Sequence, residues 1–247
     1  MLKEERQKII LTEVRIHNRV LLTDLSEKLN VSIDTVRRDV KELDSNNELK
    51  KVHGGAISLG FNNDKSREVF SYEEKSKIAQ KAIGLLKDGQ VILITGGTTN
   101  LEFIRMIPPK MNLTFFTPSL RVATQLLSHP SSEVIFIGGK LSKEAQITVG
   151  GETVNGIAQI QADICFLGTG YLDITHGLTE FDWDVVQVKK AMIKAAKKTV
   201  LLSISEKLNS SQYYKTCDIN EIDVLITELD VNHEKLADFK KQNIELL

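Results

Sequence analysis

Arg37 and Arg38 follow Ser32, Asp34 and Thr35 within the run Val31-Ser-Ile-Asp-Thr-Val-Arg-Arg-Asp-Val40, Lys41 comes directly after it, and Lys50, Lys51, His53 and Gly54 follow a few residues later. Long cations next to short polar groups suit duplex DNA, because a guanidinium pairs in bidentate fashion with a guanine edge and an ammonium holds a phosphate. A second set of residues is rich in glycine and hydroxyls: Thr95, Gly96, Gly97, Thr98 and Thr99, then Ser119, Gly138, Gly139, Gly168 and Gly170, with Lys189 and Lys207 as cations. Backbone N–H groups freed by glycine, together with hydroxyls and ammonium groups, suit a phosphate or other anion. The five histidines stand apart from one another and from the cysteines, without ligand spacing, so no metal site is expected.

The first set needs two helices and a hairpin to position it. Ile33, Val36, Val40 and Leu43 recur at helical spacing and predict a packed face, which turns Asp34, Thr35, Arg38 and Lys41 outward and leaves Arg37 at the margin. Ser32 is the expected N-cap of this helix, and Thr23 or Asp24 that of an earlier one carrying Leu25 and Leu29. Asn30 suits the left-handed residue that ends the first helix, and Val31 an apolar plug, so the pair reads as a helix-turn-helix. Asn46-Asn47 predicts a turn, Leu49 to Val52 a strand, and Gly54-Gly55 a reversal close to another backbone. That is a winged helix. Asp34, Thr35 and Arg38 are assigned to the major groove, with Arg37, Lys41, Lys50 and Lys51 on phosphates. His53 fits either a phosphate donor or a structural histidine. Residues 1–58 hold 11 Lys plus Arg against 10 Asp plus Glu, so this reading depends on the placement of charge and not on its amount.

The remaining residues suffice for one further domain in a chain of 247. Hydrophobic residues make up 41% and charged residues 26%, with a net charge of −1, as in an ordinary water-facing protein. No apolar run reaches membrane-spanning length and the first residues are charged, which predicts neither a membrane anchor nor a signal peptide. Cys165 and Cys217 lack metal-type spacing and are expected as free thiols in a cytoplasmic protein. Residues 59–71 are polar and poorly periodic and are expected to connect a domain at 1–58 to one at 72–247.

From Tyr72 the pattern alternates. A helix is expected from Glu73 to Lys87, ending at Asp88-Gly89, and strands at Val91–Thr95, Leu113–Phe116, Val134–Ile137, Ile164–Leu167, Val200–Ser203 and Val224–Thr227. Strands alternating with helices predict an α/β domain with a largely parallel sheet, whose ligands sit at the carboxyl ends of the strands. The loop Thr95 to Asn100 follows such a strand and opens a helix; it fits an anion site or a tight turn with a threonine cap. It is neither a dinucleotide fingerprint nor a Walker loop, and no cofactor is implied. Lys189 and Lys207 fit either a source of positive charge or solvated surface.

These residues resemble the DeoR family of bacterial transcriptional regulators. Val31 to Val40 matches the family's Val-Ser-x-x-Thr-[Ile or Val]-Arg-Arg-Asp-[Leu or Val] helix, and His53 to Ala56 its His-Gly-Gly-Ala wing. Asn47 stands where the family usually has Gly, and Lys50-Lys51 where Arg is common. The resemblance extends more loosely over Gly97-Thr98-Thr99, Thr117-Pro118-Ser119, Gly138-Gly139 and Glu206-Lys207, and implies a sensor domain similar in fold to ribose phosphate isomerases that binds a phosphorylated sugar. Thr95, Pro118 and Ile204 depart from that pattern, which often has Asp, Asn and Asp there, so the effector need not be the usual one.

The expected function is a repressor of a carbohydrate-metabolism operon: a homo-oligomer, dimer or tetramer, that binds operator DNA and is relieved by a phosphorylated sugar. No catalytic residue is assigned. Two other readings stand beside it. One is a sugar-phosphate isomerase with a DNA-binding head, for which Glu152, Asp163 and Glu180 are the carboxylates at hand. The other is a regulator whose second domain only oligomerises.

Overall fold

A computed structural model describes residues 1–59 and 70–247. The chain divides into two units, Met1–Phe70 and Ser71–Leu247. Most of the expected connection at 59–71, residues 60–69, lies outside the described residues.

The first unit runs α1 (Lys3–His17), β1 (Arg19–Leu21), α2 (Leu22–Leu29), α3 (Ile33–Ser45), β2 (Lys50–Val52) and β3 (Gly55–Ile57). Ile10, Val14, Leu25, Leu29, Val36, Val40, Leu43 and Leu49 bury together, so the apolar stripes of three helices share one core. Asn30 takes the left-handed conformation, φ 50° and ψ 49°, and Ser32 caps α3 by accepting from the Thr35 N–H at 3.2 Å. Asn47 has φ 56° in the turn before β2.

Two local expectations are corrected. β1 passes straight into α2, so Leu21 occupies the N-cap and Thr23 and Asp24 lie in the first turn, where the aspartate suits the helix dipole. Ile33 is 40% exposed, because as the first helical residue it overhangs the core rim, and Val31 packs against the core instead. The wing is also more than a hairpin. β3 pairs with β2 and, on its other side, with the three-residue β1. A Cβ on Gly55 would lie 2.1 Å from the Val20 carbonyl oxygen, so only glycine lets these two strands close.

The second unit begins with α4 (Tyr72–Ile83), which stops at Gly84 and not at Lys87; Asp88 is engaged instead with the Asn112 backbone N–H at 2.6 Å. It continues through β4 (Val91–Ile94), α5 (Thr98–Arg105), β5 (Leu113–Thr117), α6 (Leu120–Leu126), β6 (Ser132–Phe136), β7 (Lys140–Ser142), β8 (Ile147–Val149), α7 (Gly151–Ile157), β9 (Ile164–Gly168), β10 (Tyr171–Asp173) and β11 (Gly177–Glu180). After these come α8 (Trp183–Lys194), β12 (Thr199–Leu202), β13 (Tyr214–Cys217), β14 (Val224–Ile226) and β15 (Glu245–Leu246).

Among the described residues, seven strands form one sheet in the order β15-β14-β12-β9-β4-β5-β6, every pair parallel. Ile92 to Ile94, Cys165 to Leu167 and Val224 to Ile226 bury fully, as parallel strands covered on both faces do. β10, β11 and β13 make a small antiparallel sheet, and β7 pairs with β8. From β4 the chain builds outward through β5 and β6, then returns to β9 on the other side of β4 and builds the opposite way. The strand order therefore reverses between β4 and β9, and a crevice opens beyond their carboxyl ends.

Candidate nucleic-acid interface and anion pocket

α3 exposes the side chains expected to face DNA. Asp34, Arg37, Arg38 and Lys41 are exposed and Thr35 half-buried, whereas the neighbouring Asp39 is 3% exposed. Asp39 accepts from the Arg6 guanidinium of α1, through Nε and, at 3.1 Å, through Nη2; this hydrogen bonding holds the Arg6 pKa above its ordinary value. Arg37 pairs with Asp34 one turn earlier, so its charge is partly engaged. Among the described residues, the side chains of Arg38, Lys41, Lys50, Lys51 and His53 make no hydrogen bond or ion pair. The Lys51 backbone N–H donates to Asp44 Oδ1 at 2.9 Å, which ties β2 to α3. Gly54 turns the wing with φ 73°. Five unpaired cationic or titratable groups on one helix and the adjoining hairpin form a surface for a polyanion.

In the second unit, the loops after β4 and β9 meet at the crevice. Thr95 Oγ1 accepts from the Gly168 N–H at 2.9 Å, and a Cβ on Gly168 would come within 2.8 Å of the Gly96 carbonyl oxygen. Thr95 is 2% exposed and serves to clamp the two loops. Gly97, at φ 122°, opens α5, and the half-buried Thr98 and Thr99 have no hydroxyl partner among the described residues. Ser119 caps α6, and a Cβ on Gly96 would lie 3.0 Å from its Oγ.

Two predicted lysines reach the same crevice from beneath. Lys189 donates to the Gly168 carbonyl at 2.7 Å and pairs with Glu180, whose carboxylate lies against Gly170. Lys207 donates to the Thr169 carbonyl at 2.5 Å, and burial, with Lys75 as a like charge nearby, brings it down to about 8. Lys189 is 6% exposed and Lys207 half-buried, so neither is solvated surface in the ordinary sense.

Gly138 and Gly139 are not brought to this crevice. They follow the edge strand β6, two strands from β4; a Cβ on Gly139 would strike Thr153 Oγ1 at 2.2 Å, and Gly138 lines a separate apolar groove of about 580 Å³ with Phe116, Ile135 and Ile137. Of the carboxylates considered for catalysis, Asp163 accepts from the Val91 N–H and from Lys197 at the opposite ends of the strands, and Glu152 lines the groove. Glu180 alone among them borders the crevice, and it is ion-paired.

Two buried polar residues of this unit were missed in the sequence, one of them in the site. Asn100 is fully buried and donates from Nδ2 to Thr95 O, Thr95 Oγ1 and Gly96 O, which pins the loop. Its place five residues after Thr95 was the available signal. Lys75, near the start of α4, is 5% exposed, and burial lowers it to about 8 against the favourable charges of Glu206 and Glu74. Nothing in its local spacing sets it apart from a surface lysine.

Residues 6–60 match the family model of the DeoR-like helix-turn-helix domain, and residues 71–229 that of the DeoR C terminal sensor domain. The chain belongs to the DeoR family. It is 32% identical over 232 residues to the HTH-type transcriptional regulator GolR of Listeria innocua serovar 6a, covering 92% of this chain and 91% of that protein. It is 30% identical over 255 residues to the HTH-type transcriptional repressor GlcR of Bacillus subtilis strain 168, covering 100% and 96%. A solved ribose 5-phosphate isomerase A from Methanocaldococcus jannaschii is 20% identical over 54% of this chain and 53% of that one, with a TM-score of 0.40, a likeness too loose to carry any argument. This DeoR-family protein is thus a DNA-binding transcriptional regulator with a helix-turn-helix head and a sensor domain. Among its described residues no helix is long and apolar enough to cross a membrane. Its departures from the family pattern, Thr95, Pro118 and Ile204, are all buried, so packing and loop clamping occupy those positions.

Proposed function

We propose that this DeoR-family protein is a sequence-specific repressor of a carbohydrate-metabolism operon, which grips operator DNA as a symmetric oligomer and lets go when a phosphorylated sugar occupies the crevice between β4 and β9. The observation that carries the DNA half is the unpaired basic edge of Arg38, Lys41, Lys50, Lys51 and His53. With α3 in the major groove, Arg38, Thr35 and Asp34 read base edges from its exposed side, while Arg37, Lys41 and the wing lysines hold phosphates; Ser32 and Gly54 keep the helix start and wing turn close to the backbone. A homo-oligomer presents two heads to two half-sites.

The effector half is supported by loops with free hydroxyls at Thr98 and Thr99, by the start of α5, and by ammonium groups drawn toward the same crevice. Release requires the effector to bind the two arrangements of the heads unequally; a coupling of about 1 to 3 kcal/mol changes DNA affinity about 5- to 150-fold. The reading as a regulator without catalysis is supported by Glu180 being held by Lys189, which leaves the crevice no unpaired carboxylate among those considered as bases.

The deciding experiment titrates the complex of the protein with DNA from upstream of its own gene against a series of sugar phosphates, with ribose 5-phosphate turnover measured in parallel. One compound that releases the DNA without being consumed supports the reading. If none changes DNA binding, the effector half is wrong; measurable turnover sinks the non-enzymatic half.

A further inference from the structure

β13 is irregular at one residue. Leu178 of β11 pairs with Cys217 and Thr179 with Lys215, so Thr216 is an extra residue with no partner across the sheet. A bulge of this kind re-aims the side chain it carries. In a regular strand successive side chains face opposite sides, yet Thr216 and Cys217 are both buried, at 3% and 4% exposed. Cys217 joins the core of the unit. Thr216 instead lines a cavity of about 230 Å³ between α8 and β13, together with Lys190, Ile193, Lys194 and Glu221. Its hydroxyl is closed off from solvent and has no hydrogen-bond partner among the described residues. A buried hydroxyl left unmatched is a cost to the fold that a bound group removes.

The rest of the lining is charged. Lys190, Ile193 and Lys194 share the face of α8 turned to β13, whereas Lys189, about 100° round the helix from Lys190, reaches Gly168. The cavity lies away from the crevice. The Ala195 carbonyl at the end of α8 accepts from the Ala162 N–H at 2.8 Å, just before β9 begins, so this end of the helix sits at the amino ends of the strands. Lys190 is half-buried and Lys194 exposed, and among the described residues neither ammonium makes a hydrogen bond or ion pair. Glu221 does not neutralise them; its Oε1 accepts from the Asp218 N–H at 2.9 Å, which holds the carboxylate in place. Two surface lysines would mean little by themselves, but here they flank a buried, unmatched donor.

We propose that the cavity is a second ligand site, for a small oxyanion that carries a hydroxyl group: hydrogen phosphate or a short hydroxy acid. Lys190 and Lys194 take the negative charge, the Thr216 hydroxyl donates to one oxygen of the anion, and Glu221 accepts from the ligand's hydroxyl. The volume lies below the roughly 300 Å³ at which sites for drug-sized ligands begin, which leaves room for an ion or acid of a few heavy atoms. This site needs none of the ligands of the crevice.

The chain's one tryptophan, Trp183, stands on the same helix and meets Tyr214 of β13 edge to face, with ring centroids 5.6 Å apart, so its emission reports on the space between the two elements. The test titrates the full chain near neutral pH with inorganic phosphate and, separately, with malate, at constant ionic strength, following tryptophan emission and heat. At least one is expected to bind saturably, and which one does so names the source of the anion. Lys190→Met and Lys194→Met should each weaken that binding at least about tenfold, and Thr216→Val, which keeps the shape of the side chain, about fivefold. All three should bind DNA as the wild type does in buffer free of either anion, which shows that the variants fold. Absence of saturable binding of either anion by the wild type up to about 10 mM overturns the site. Binding that Lys190→Met and Thr216→Val leave undiminished overturns it too, because the anion then sits elsewhere.

Discussion

Arg6 and Asp39 join α1 to α3 through two side-chain hydrogen bonds, with 12% and 4% of their side chains exposed. The last member of Arg37-Arg38-Asp39 is thereby a structural anchor, and the two arginines before it keep a fixed orientation on the helix that carries them. Removing one partner of a buried pair strands the other charge. Asp39→Ala should therefore destabilise the head by about 3 kcal/mol, read as an earlier urea midpoint for its unfolding. A shift too small to measure would mean that the ion pair is solvated in the free protein.

The unpaired edge of the head makes a division of labour testable. Arg38→Ala should cost about 1 to 3 kcal/mol of operator binding and relax the preference at one base position. Lys51→Ala should weaken binding to all sequences alike and reduce the slope of log affinity against log salt by about 1. Equal losses with an unchanged slope would contradict the assignment of Arg38 to bases and Lys51 to phosphates.

The cost of burying Lys75 near the start of α4 depends on pH. Burial lowers it from 10.5 in the unfolded chain to about 8 in the folded one. Below about 8 both states carry the charge and the burial penalty is complete; between about 8 and 10.5 the folded chain has released a proton that the unfolded chain still binds, so its contribution to stability rises with pH. Thermal unfolding of the wild type and of Lys75→Met should thus show the wild type gaining on the variant from pH 8 to pH 10. A difference that stays constant across that range would show that Lys75 titrates as an exposed lysine.

Much of the head was legible because its signals are local. The Ser32 cap, the left-handed Asn30, the apolar repeat through Val36, Val40 and Leu43, and the glycines of the wing act over a few residues, and each occurs where the spacing put it. Six apolar runs likewise appear as strands of the large sheet; the inner ones are buried, since a strand covered on both faces needs such a run, while the edge strand β6 stays partly exposed. β1 and β15, with three and two residues, are too short to leave a pattern.

Which residues share a site is another matter, because it depends on partners far apart in the chain. The apolar periods of α3 turn Arg38 outward whatever surrounds it, and any reader of residues 31–43 can recover that. Asp39 differs from its neighbours only through Arg6, 33 residues away. Thr95 became a clamp because the strand order sets β4 beside β9, and Gly138 was excluded because β6 lies at the edge. Lys189 likewise meets Glu180 and the Gly168 carbonyl only because α8, β11 and the end of β9 pack together.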